Sequence, residues 1–257
     1  CEEGGWQMGN SPLVNNIKKP KAVVFDTDNT LYPYEAAHNA AMEAVRSKGI
    51  SSLNVTQQEF DEAFKKARSD VKKKLQDTAS SHSRLLYFQR TIEYLGLGTK
   101  ILLTLDLEQA YWRAFLINAR LFPGVKDFIY QLKSDKVITA NVTDLTAQIQ
   151  FRKMVYLGMD EHFDYVVTSE EAGKDKPHSA PFDIILSKIG VAPSDIWMIG
   201  DNPINDIEGA LAAGMVPFQK IHDGVKVSQI IKDGNGIAFE DFYKLLDVYK
   251  SLCSNKS

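Results

Sequence analysis

The sequence predicts an α/β protein, a doubly wound parallel sheet with an all-helical domain inserted after the first strand. Three observations predict this fold. A short, continuously apolar run at residues 22–25 is typical of a strand buried on both faces of a sheet. Residues 35–120 space their apolar side chains as helices do, with almost no strand signal. From residue 121 onward, strand-like and helix-like segments alternate. The predicted units are therefore an N-terminal tail (1–20), a core domain (21–34 and 121–257) and an inserted helical domain (35–120).

The inserted domain contains three apolar stripes at helical spacing. Gly96 and Gly98 separate the second stripe from the third, and Asp106 is predicted to be the N-cap of the last helix. The lysine-rich run at residues 65–74 lies opposite the first stripe, so it is predicted to be a solvated face. The stripes are Phe60, Phe64, Ala67, Val71 and Leu75; Leu85, Phe88, Ile92 and Leu95; and Leu107, Tyr111, Ala114 and Phe115.

The rest of the core alternates between helices and strands. Because crossovers between parallel strands are right-handed, this alternation predicts a parallel sheet covered by helices on both sides. Helices are predicted to end at Lys133 and Leu157 and to span residues 182–189 and 204–213. Strands are predicted at residues 137–142, 165–168, 196–199 and 215–218.

The composition is that of an ordinary globular protein without a strongly charged partner. Of 257 residues, 44% are hydrophobic, and 30 basic against 33 acidic side chains give a net charge of −3. Such a balance creates no field that would gather nucleic acid or anionic lipid. No apolar run approaches the roughly 20 residues of a membrane helix, and Cys1 and Cys253 do not form a CxxC pair. We therefore expect a cytoplasmic protein with neither a nucleic-acid nor a membrane partner.

Polar residues follow four of the predicted strands at their carboxyl ends, which is where open parallel sheets bind ligands. Clustered carboxylates repel one another unless a cation joins them, and oxygen ligands favour Mg²⁺ over zinc. Together with a lysine and a hydroxyl, such a site could hold a phosphate group. One carboxylate could then act as nucleophile and a second could shuttle protons. The residues are Asp26 and Asp28, Thr143 and Asp144, Lys176, and Asp201 and Asp206.

These residues resemble the four motifs of the haloacid dehalogenase-like (HAD) superfamily. Residues 26–30 match its DxDxT motif, and Thr143 resembles the second motif. Lys176-Pro177 is similar to the third motif, and Gly200-Asp201 with Asp206 to the fourth. Each motif alone is weak, but four in order, each at a predicted strand end, are a strong match. The resemblance covers residues 21–219, and it places the inserted helices where this family carries a helical cap.

The resemblance implies that Asp26 attacks phosphorus and coordinates Mg²⁺. Asp28 would protonate the leaving alkoxide, then activate water, and also offer its backbone carbonyl to the metal. Family members that break carbon–halogen bonds lack an acid at this position, because halide leaves without a proton. Asp28 therefore favours hydrolysis of a small phosphomonoester through an aspartyl-phosphate. The candidate substrates are a nucleoside monophosphate, a sugar phosphate and phosphoglycolate.

The remaining motif residues would complete the site. By the same resemblance, Asp201 is a metal ligand and Asp206 an alternative or outer one. Thr143, Asp144 and Lys176 would contact the phosphoryl group and offset its charge.

The cap is expected to set substrate specificity. Arg84, Tyr87 and Arg90 are candidate substrate contacts, although a packing or solvated role is the commoner fate of such side chains. Three alternatives to a phosphatase stay open: a non-catalytic HAD-fold binding or regulatory protein, a phosphomutase and a 2-haloacid dehalogenase. Asp26 and Asp28 could also be simple turn residues at a strand end.

Overall fold

The computed structural model describes residues 17–254, and at its centre is a parallel sheet with the strand order β3-β2-β1-β4-β5-β6. This is the order of doubly wound nucleotide-binding folds, so the predicted fold class is confirmed. The strands are β1 (Ala22–Phe25), β2 (Ile138–Thr143), β3 (Tyr165–Thr168), β4 (Ile196–Gly200), β5 (Val216–Lys220) and β6 (Ile237–Phe239). Most of the predicted tail, residues 1–16, lies outside the described residues, while Ile17 packs against the core.

Alternate residues of β1 face two separate cores, as the period of a strand requires. Val23 and Phe25 join the core beneath the C-terminal helix and the cap. Ala22 and Val24 join the core on the opposite face of the sheet. Helices therefore cover both faces. In the core domain they are α5 (Val125–Ser134), α6 (Ala147–Leu157), α7 (Ser169–Ala172), α8 (Ser179–Ile189), α9 (Gly209–Ala212), α10 (Gln229–Lys232) and α11 (Phe242–Ser254).

The predicted helix at residues 204–213 begins differently from the expectation. It opens with a π-helical turn at Pro203–Glu208 before α9. The side chain of Asn202 accepts hydrogen bonds from two backbone N–H groups of this turn, and its carbonyl accepts one from the N–H of Ile207 at 3.2 Å. Sequence reasoning also missed β6, because a three-residue strand gives too short a signal, and it did not identify α11.

The inserted segment folds as a cap of four helices, α1 (Tyr34–Leu53), α2 (Gln57–Leu75), α3 (Arg84–Tyr94) and α4 (Ile101–Asn118). The three predicted stripes lie on α2, α3 and α4. No stripe predicted α1, because it buries mainly small side chains such as Ala37 and Ala41. Within the cap, α1 packs against α4, and α2 packs against α3. Within residues 17–254, no helix is both long enough and apolar enough to span a membrane.

The predicted N-cap at Asp106 is wrong. Helix α4 begins at Ile101, after Lys100 in a left-handed conformation. Its first-turn residues Ile101 and Leu102 are exposed, so no buried stripe marks the start of the helix in the sequence. Asp106 lies within the helix and pairs with Lys48 of α1 at 3.5 Å.

Candidate active site

A cavity of about 270 Å³ lies between the carboxyl ends of the central strands and the cap. The strand order reverses between β1 and β4, and ligands of doubly wound sheets bind in the crevice at such a switch point. Asp26 directly follows β1 and donates its backbone N–H to Ile199 of β4 at 2.8 Å. The cavity is lined by eight of the predicted site residues: Asp26, Asp28, Arg84, Thr143, Asp144, Lys176, Asp201 and Asp206.

Lys176 joins two of these carboxylates. Its ammonium donates to Asp26 Oδ1 and to Asp206 Oδ1, both at 2.6 Å, and to the carbonyl of Val142 at 3.0 Å. Burial alone would lower the pKa of Lys176, but the Asp206 and Asp26 carboxylates raise it well above its usual value. Lys176 is therefore charged, and it holds the two acids in place. The hydroxyl of Thr30 donates to Asp26 Oδ2 at 3.0 Å.

Three carboxylates form a group that could bind a cation. Asp26, Asp201 and Asp206 each offer an oxygen, and these oxygens lie within 4.8 Å of one another. Burial raises the pKa of Asp26 to about 7, with a further contribution from Asp206. Burial and Asp26 raise the pKa of Asp201 to about 6. An oxygen-only set of three acids suits a hard divalent cation, which would replace the protons that these raised pKa values retain.

The Asp28 carboxylate lies outside this group. Lys153 Nζ donates to its two oxygens at 2.8 and 2.9 Å, and the Tyr32 hydroxyl donates to Oδ1. Burial alone would raise the pKa of Asp28, but Lys153 and Tyr32 lower it below its usual value. Lys153 and Tyr32 thus hold the side chain in place, and both its role in proton transfer and a metal contact through the Asp28 backbone carbonyl stay predictions.

The glycine before Asp201 is required by close packing. A Cβ atom on Gly200 would lie 2.3 Å from Cβ of Asp206. Asp206 Oδ2 also accepts the N–H of Asn202 at 3.0 Å. The loop after β4 therefore wraps tightly around Asp206 and leaves Asp201 at the cavity.

Asp144, which follows Thr143 of the second motif, supports Lys176 of the third motif. Asp144 Oδ1 accepts the backbone N–H of Lys176 at 3.0 Å and the hydroxyl of Ser169 at 2.9 Å. Thr143 is buried and lines the cavity. The Asp144 carboxylate is thus engaged in positioning Lys176, and its predicted contact with substrate stays untested.

The cap contributes positive charge to the cavity. Arg84 donates to the carbonyl of His82 at 2.6 Å and to the Tyr34 hydroxyl, and its guanidinium lies over the Tyr111 ring, 5.2 Å from the centroid. Tyr87 also lines the cavity.

Arg90 and Lys72 differ from their predicted surroundings. Arg90 is not among the residues that line the cavity and pairs with Glu93 at 2.5 Å. Lys72 was predicted to lie on a solvated face, but it is half-buried and lines the cavity. The rotation of α2 against the core, which a charge run does not specify, decides this position.

Sequence reasoning missed Lys153 and His222. Lys153 shares the buried face of α6 with Met154 and Leu157. A lysine on the same helix face as these apolar residues could have indicated a buried charge with a partner. His222 follows β5, and its Nε2 lies 3.1 Å from Asp201 Oδ2. Applying the strand-end rule to a fifth strand would have found it.

Known proteins resemble this chain in sequence over most of its length. Residues 20–214 match the family model of haloacid dehalogenase-like hydrolases. Ribulose-1,5-bisphosphate 5-phosphatase of Halopiger xanaduensis is 37% identical over 198 residues, which is 76% of this chain and 82% of that protein. Glyceraldehyde 3-phosphate phosphatase of Methanopyrus kandleri is 31% identical over 197 residues, again 76% and 82%.

Solved structures share the fold. A HAD phosphatase from Thermococcus onnurineus has a TM-score of 0.67 at 21% identity and covers 90% of this chain and 97% of its own. A 2-haloacid dehalogenase from Pseudomonas syringae has a TM-score of 0.68 at 22% identity, covering 91% and 99%. Phosphatases and dehalogenases therefore share this fold, so the fold alone does not decide between the two activities. The relatives that match in sequence are phosphatases. This chain belongs to the haloacid dehalogenase-like hydrolases, in the phosphatase branch of that family.

Proposed function

We propose that this phosphatase hydrolyses a small sugar phosphate with Mg²⁺ as cofactor, through an aspartyl-phosphate on Asp26. One observation carries the proposal: the Lys176 ammonium lies 2.6 Å from Asp26 Oδ1, while a second, separately held carboxylate, Asp28, lines the same cavity. This arrangement gives one acid the role of nucleophile and leaves the other for proton transfer.

The proposed reaction has two displacements at phosphorus. Asp26 attacks, the bond from phosphorus to the ester oxygen breaks, and Asp28 gives that oxygen a proton. Water then attacks the aspartyl-phosphate, Asp28 takes its proton, and phosphate leaves with Asp26 restored. Lys153 lowers the pKa of Asp28 in the substrate-free protein, which suits the second step. A phosphomonoester bound as its monoanion would first pass its proton to Asp28, and Asp28 would then give that proton to the leaving oxygen in the first step.

Residues of the same site would hold the phosphoryl group and the cation. Lys176 and Thr143 are the proposed contacts of the phosphoryl oxygens. Asp26, Asp201 and Asp206 are the proposed side-chain ligands of Mg²⁺. When bound, the cation would neutralise negative charge on the phosphoryl oxygens.

Mg²⁺ is expected to raise the melting temperature more at about pH 8 than at about pH 5.5, because protons compete with the cation. The pKa values of Asp26 and Asp201 are raised to about 7 and about 6, so both acids are mostly protonated at the lower pH. Without metal, the folded state retains protons that the unfolded chain releases. The contribution of these two acids to the free energy of unfolding therefore falls as pH rises from about 4 to about 7. Thermal unfolding at both pH values, with and without Mg²⁺, measures the increase in melting temperature that the cation causes at each pH.

Asp201→Asn should remove most of that Mg²⁺-dependent increase. Asp247→Asn, on the exposed side of α11, is the matched control and should keep it. An equal increase in melting temperature at the two pH values would contradict proton competition at these acids.

The cap side of the cavity favours a substrate with a second anionic group. Arg68, Lys72 and Arg84 line it. Burial lowers the pKa of Lys72, and Arg68 and Arg84 lower it further. The same arginines and burial lower the pKa of His38 to about 4. Cations that repel one another across a cavity are stabilised by an anion placed between them.

Two further observations support a small sugar phosphate. The cavity, about 270 Å³, lies just below the roughly 300–1,000 Å³ typical of small-molecule sites. The relatives above are named for phosphatases of a sugar bisphosphate and of a triose phosphate. A sugar phosphate that carries a second phosphate or a carboxylate matches both the small volume of the cavity and the positive charge of its cap side.

The test is phosphate release from a substrate panel with Mg²⁺ present. The panel holds ribulose 1,5-bisphosphate, phosphoglycolate, glyceraldehyde 3-phosphate, a nucleoside monophosphate and 4-nitrophenyl phosphate. We expect the highest kcat/KM for a substrate with a second anionic group. Lys72→Met should raise KM for that substrate by about tenfold, or about 1.4 kcal/mol, and leave glyceraldehyde 3-phosphate nearly unchanged.

Lys74→Met is the matched control, because Lys74 lies on the same helix but is exposed. An equal rise in KM for both kinds of substrate would contradict a second anion site. Absence of phosphate release from every phosphoester would favour the binding-protein alternative. Chloride release from 2-chloro acids, which a dehalogenase would catalyse, is expected to be absent.

A further inference from the structure

We propose that Lys153 is a positioning residue for the reaction, one that fixes the Asp28 carboxylate where it exchanges a proton with the leaving oxygen. The proposal rests on the proposed function. The lysine lies on α6 of the core domain, outside the four sequence motifs. Its Nζ contacts Asp28 Oδ1 at 2.8 Å and Oδ2 at 2.9 Å. The side chain of Lys153 is 1% exposed, whereas that of Asp28 is 34% exposed. The ammonium therefore contacts the Asp28 carboxylate from the protein interior, while that carboxylate remains accessible from the cavity.

The position of the ammonium is itself fixed by both domains. It lies 5.4 to 6.0 Å from the centroids of four aromatic rings. Two of these rings belong to cap helix α4, and the other two lie where the chain passes from β1 of the core domain into cap helix α1. Contacts of this kind attract a cation and restrict its movement. The rings are those of Tyr32, Tyr34, Trp112 and Phe115.

Stability alone gives no reason for a charge at this place. Removing an ammonium from water is costly, and replacing both partners of a buried ion pair by apolar side chains of similar volume is often neutral or stabilising. The aromatic surroundings would accept such a side chain. A lysine here is instead explained by what it does to Asp28.

Lys153 fixes the orientation of the carboxylate. Asp28 Oδ1 accepts hydrogen bonds from both Tyr32 and Lys153, and Oδ2 accepts one from Lys153. Without the lysine, Tyr32 would hold one oxygen and the carboxylate could rotate about its bond to Cβ. A displacement of about 1 Å in a reacting group costs about 100-fold in rate.

The test compares two leaving groups in Lys153→Met. The value of kcat/KM covers the steps up to departure of the first product. 4-Nitrophenolate leaves without a proton, whereas an alkoxide needs one from Asp28. We expect kcat/KM for glyceraldehyde 3-phosphate to fall by about 100-fold, and that for 4-nitrophenyl phosphate by less than about tenfold.

Three further variants separate positioning from folding. Lys153→Arg keeps the buried charge. We expect its kcat/KM for the alkyl ester to lie between the values of the wild type and Lys153→Met, with a smaller change for the aryl ester. It supplies the same comparison should Lys153→Met fail to fold. Arg152→Met changes the exposed neighbour on α6 and should leave both substrates unaffected. In an Asp28→Asn background, Lys153→Met should cost little more, because the two residues act as a unit.

The outcomes distinguish this proposal from the proposed function. Equal losses on the two esters in the Lys153 variants, or no loss at all, would overturn the positioning role while leaving phosphatase activity intact. A wild-type protein that released phosphate from no ester of the substrate panel would overturn the proposed function and this proposal with it.

Discussion

Asp26→Asn is expected to abolish hydrolysis, lowering kcat by at least about 1,000-fold on every phosphoester that the wild type accepts. The amide matches the carboxylate in shape, but it carries no negative charge, and its oxygen is a much weaker nucleophile toward phosphorus. It would also place an NH₂ group near the Lys176 ammonium or the Thr30 hydroxyl, both of which donate to Asp26. Phosphate release with and without Mg²⁺ measures the loss. Intact mass after acid quenching should show a phosphoryl adduct in the wild type and none in the variant.

Asp247→Asn makes the same chemical change on the exposed side of α11 and should leave the rate unchanged. If Asp26→Asn hydrolysed phosphoesters as fast as the wild type, the covalent mechanism would be wrong. A phosphoryl adduct of equal yield in the variant would place the nucleophile at another residue.

Lys176→Met is expected to cost both activity and stability. The Lys176 side chain is 2% exposed, and its ammonium contacts Asp26 and Asp206 at 2.6 Å, so its removal leaves two buried acids without a countercharge. Breaking such a buried pair typically lowers the free energy of unfolding by roughly 3–5 kcal/mol. Loss of one preorganised contact to the phosphoryl group typically lowers kcat by about 100- to 1,000-fold. Urea unfolding and phosphate release measure the two effects.

The stability loss in Lys176→Met should grow with pH. Without the ammonium, the folded state binds protons on Asp26 and Asp206 still more tightly, while the unfolded chain releases them above about pH 4. The variant therefore loses stability relative to the wild type as pH rises. Lys174→Met, at the exposed lysine two residues away, should match the wild type in both measurements. A comparable loss in Lys174→Met would mean that the loop as a whole is responsible.

The sequence was sufficient for the fold class and for the core of the candidate site. Asp26, Lys176 and Asp201 each follow a strand in the sequence, and parallel strands present their carboxyl ends at one edge of a sheet. Strand order need not be known for that argument. The structure places these residues, with Asp206, within 4.8 Å or within hydrogen-bonding distance of one another. The periodicity of apolar residues and the position of a polar residue after a strand are local properties of the chain, so both can be read from the sequence.

The tertiary structure alone decided which residues support and surround that core. Lys153 reaches Asp28 because α6 turns its buried face toward the cavity, and Lys72 reaches the cavity because α2 packs against α3 in one particular rotation. His222 meets Asp201 across the sheet edge. These contacts depend on how helices rotate and pack against distant parts of the chain. Helical periodicity fixes which side chains share a face, but only packing determines what that face meets.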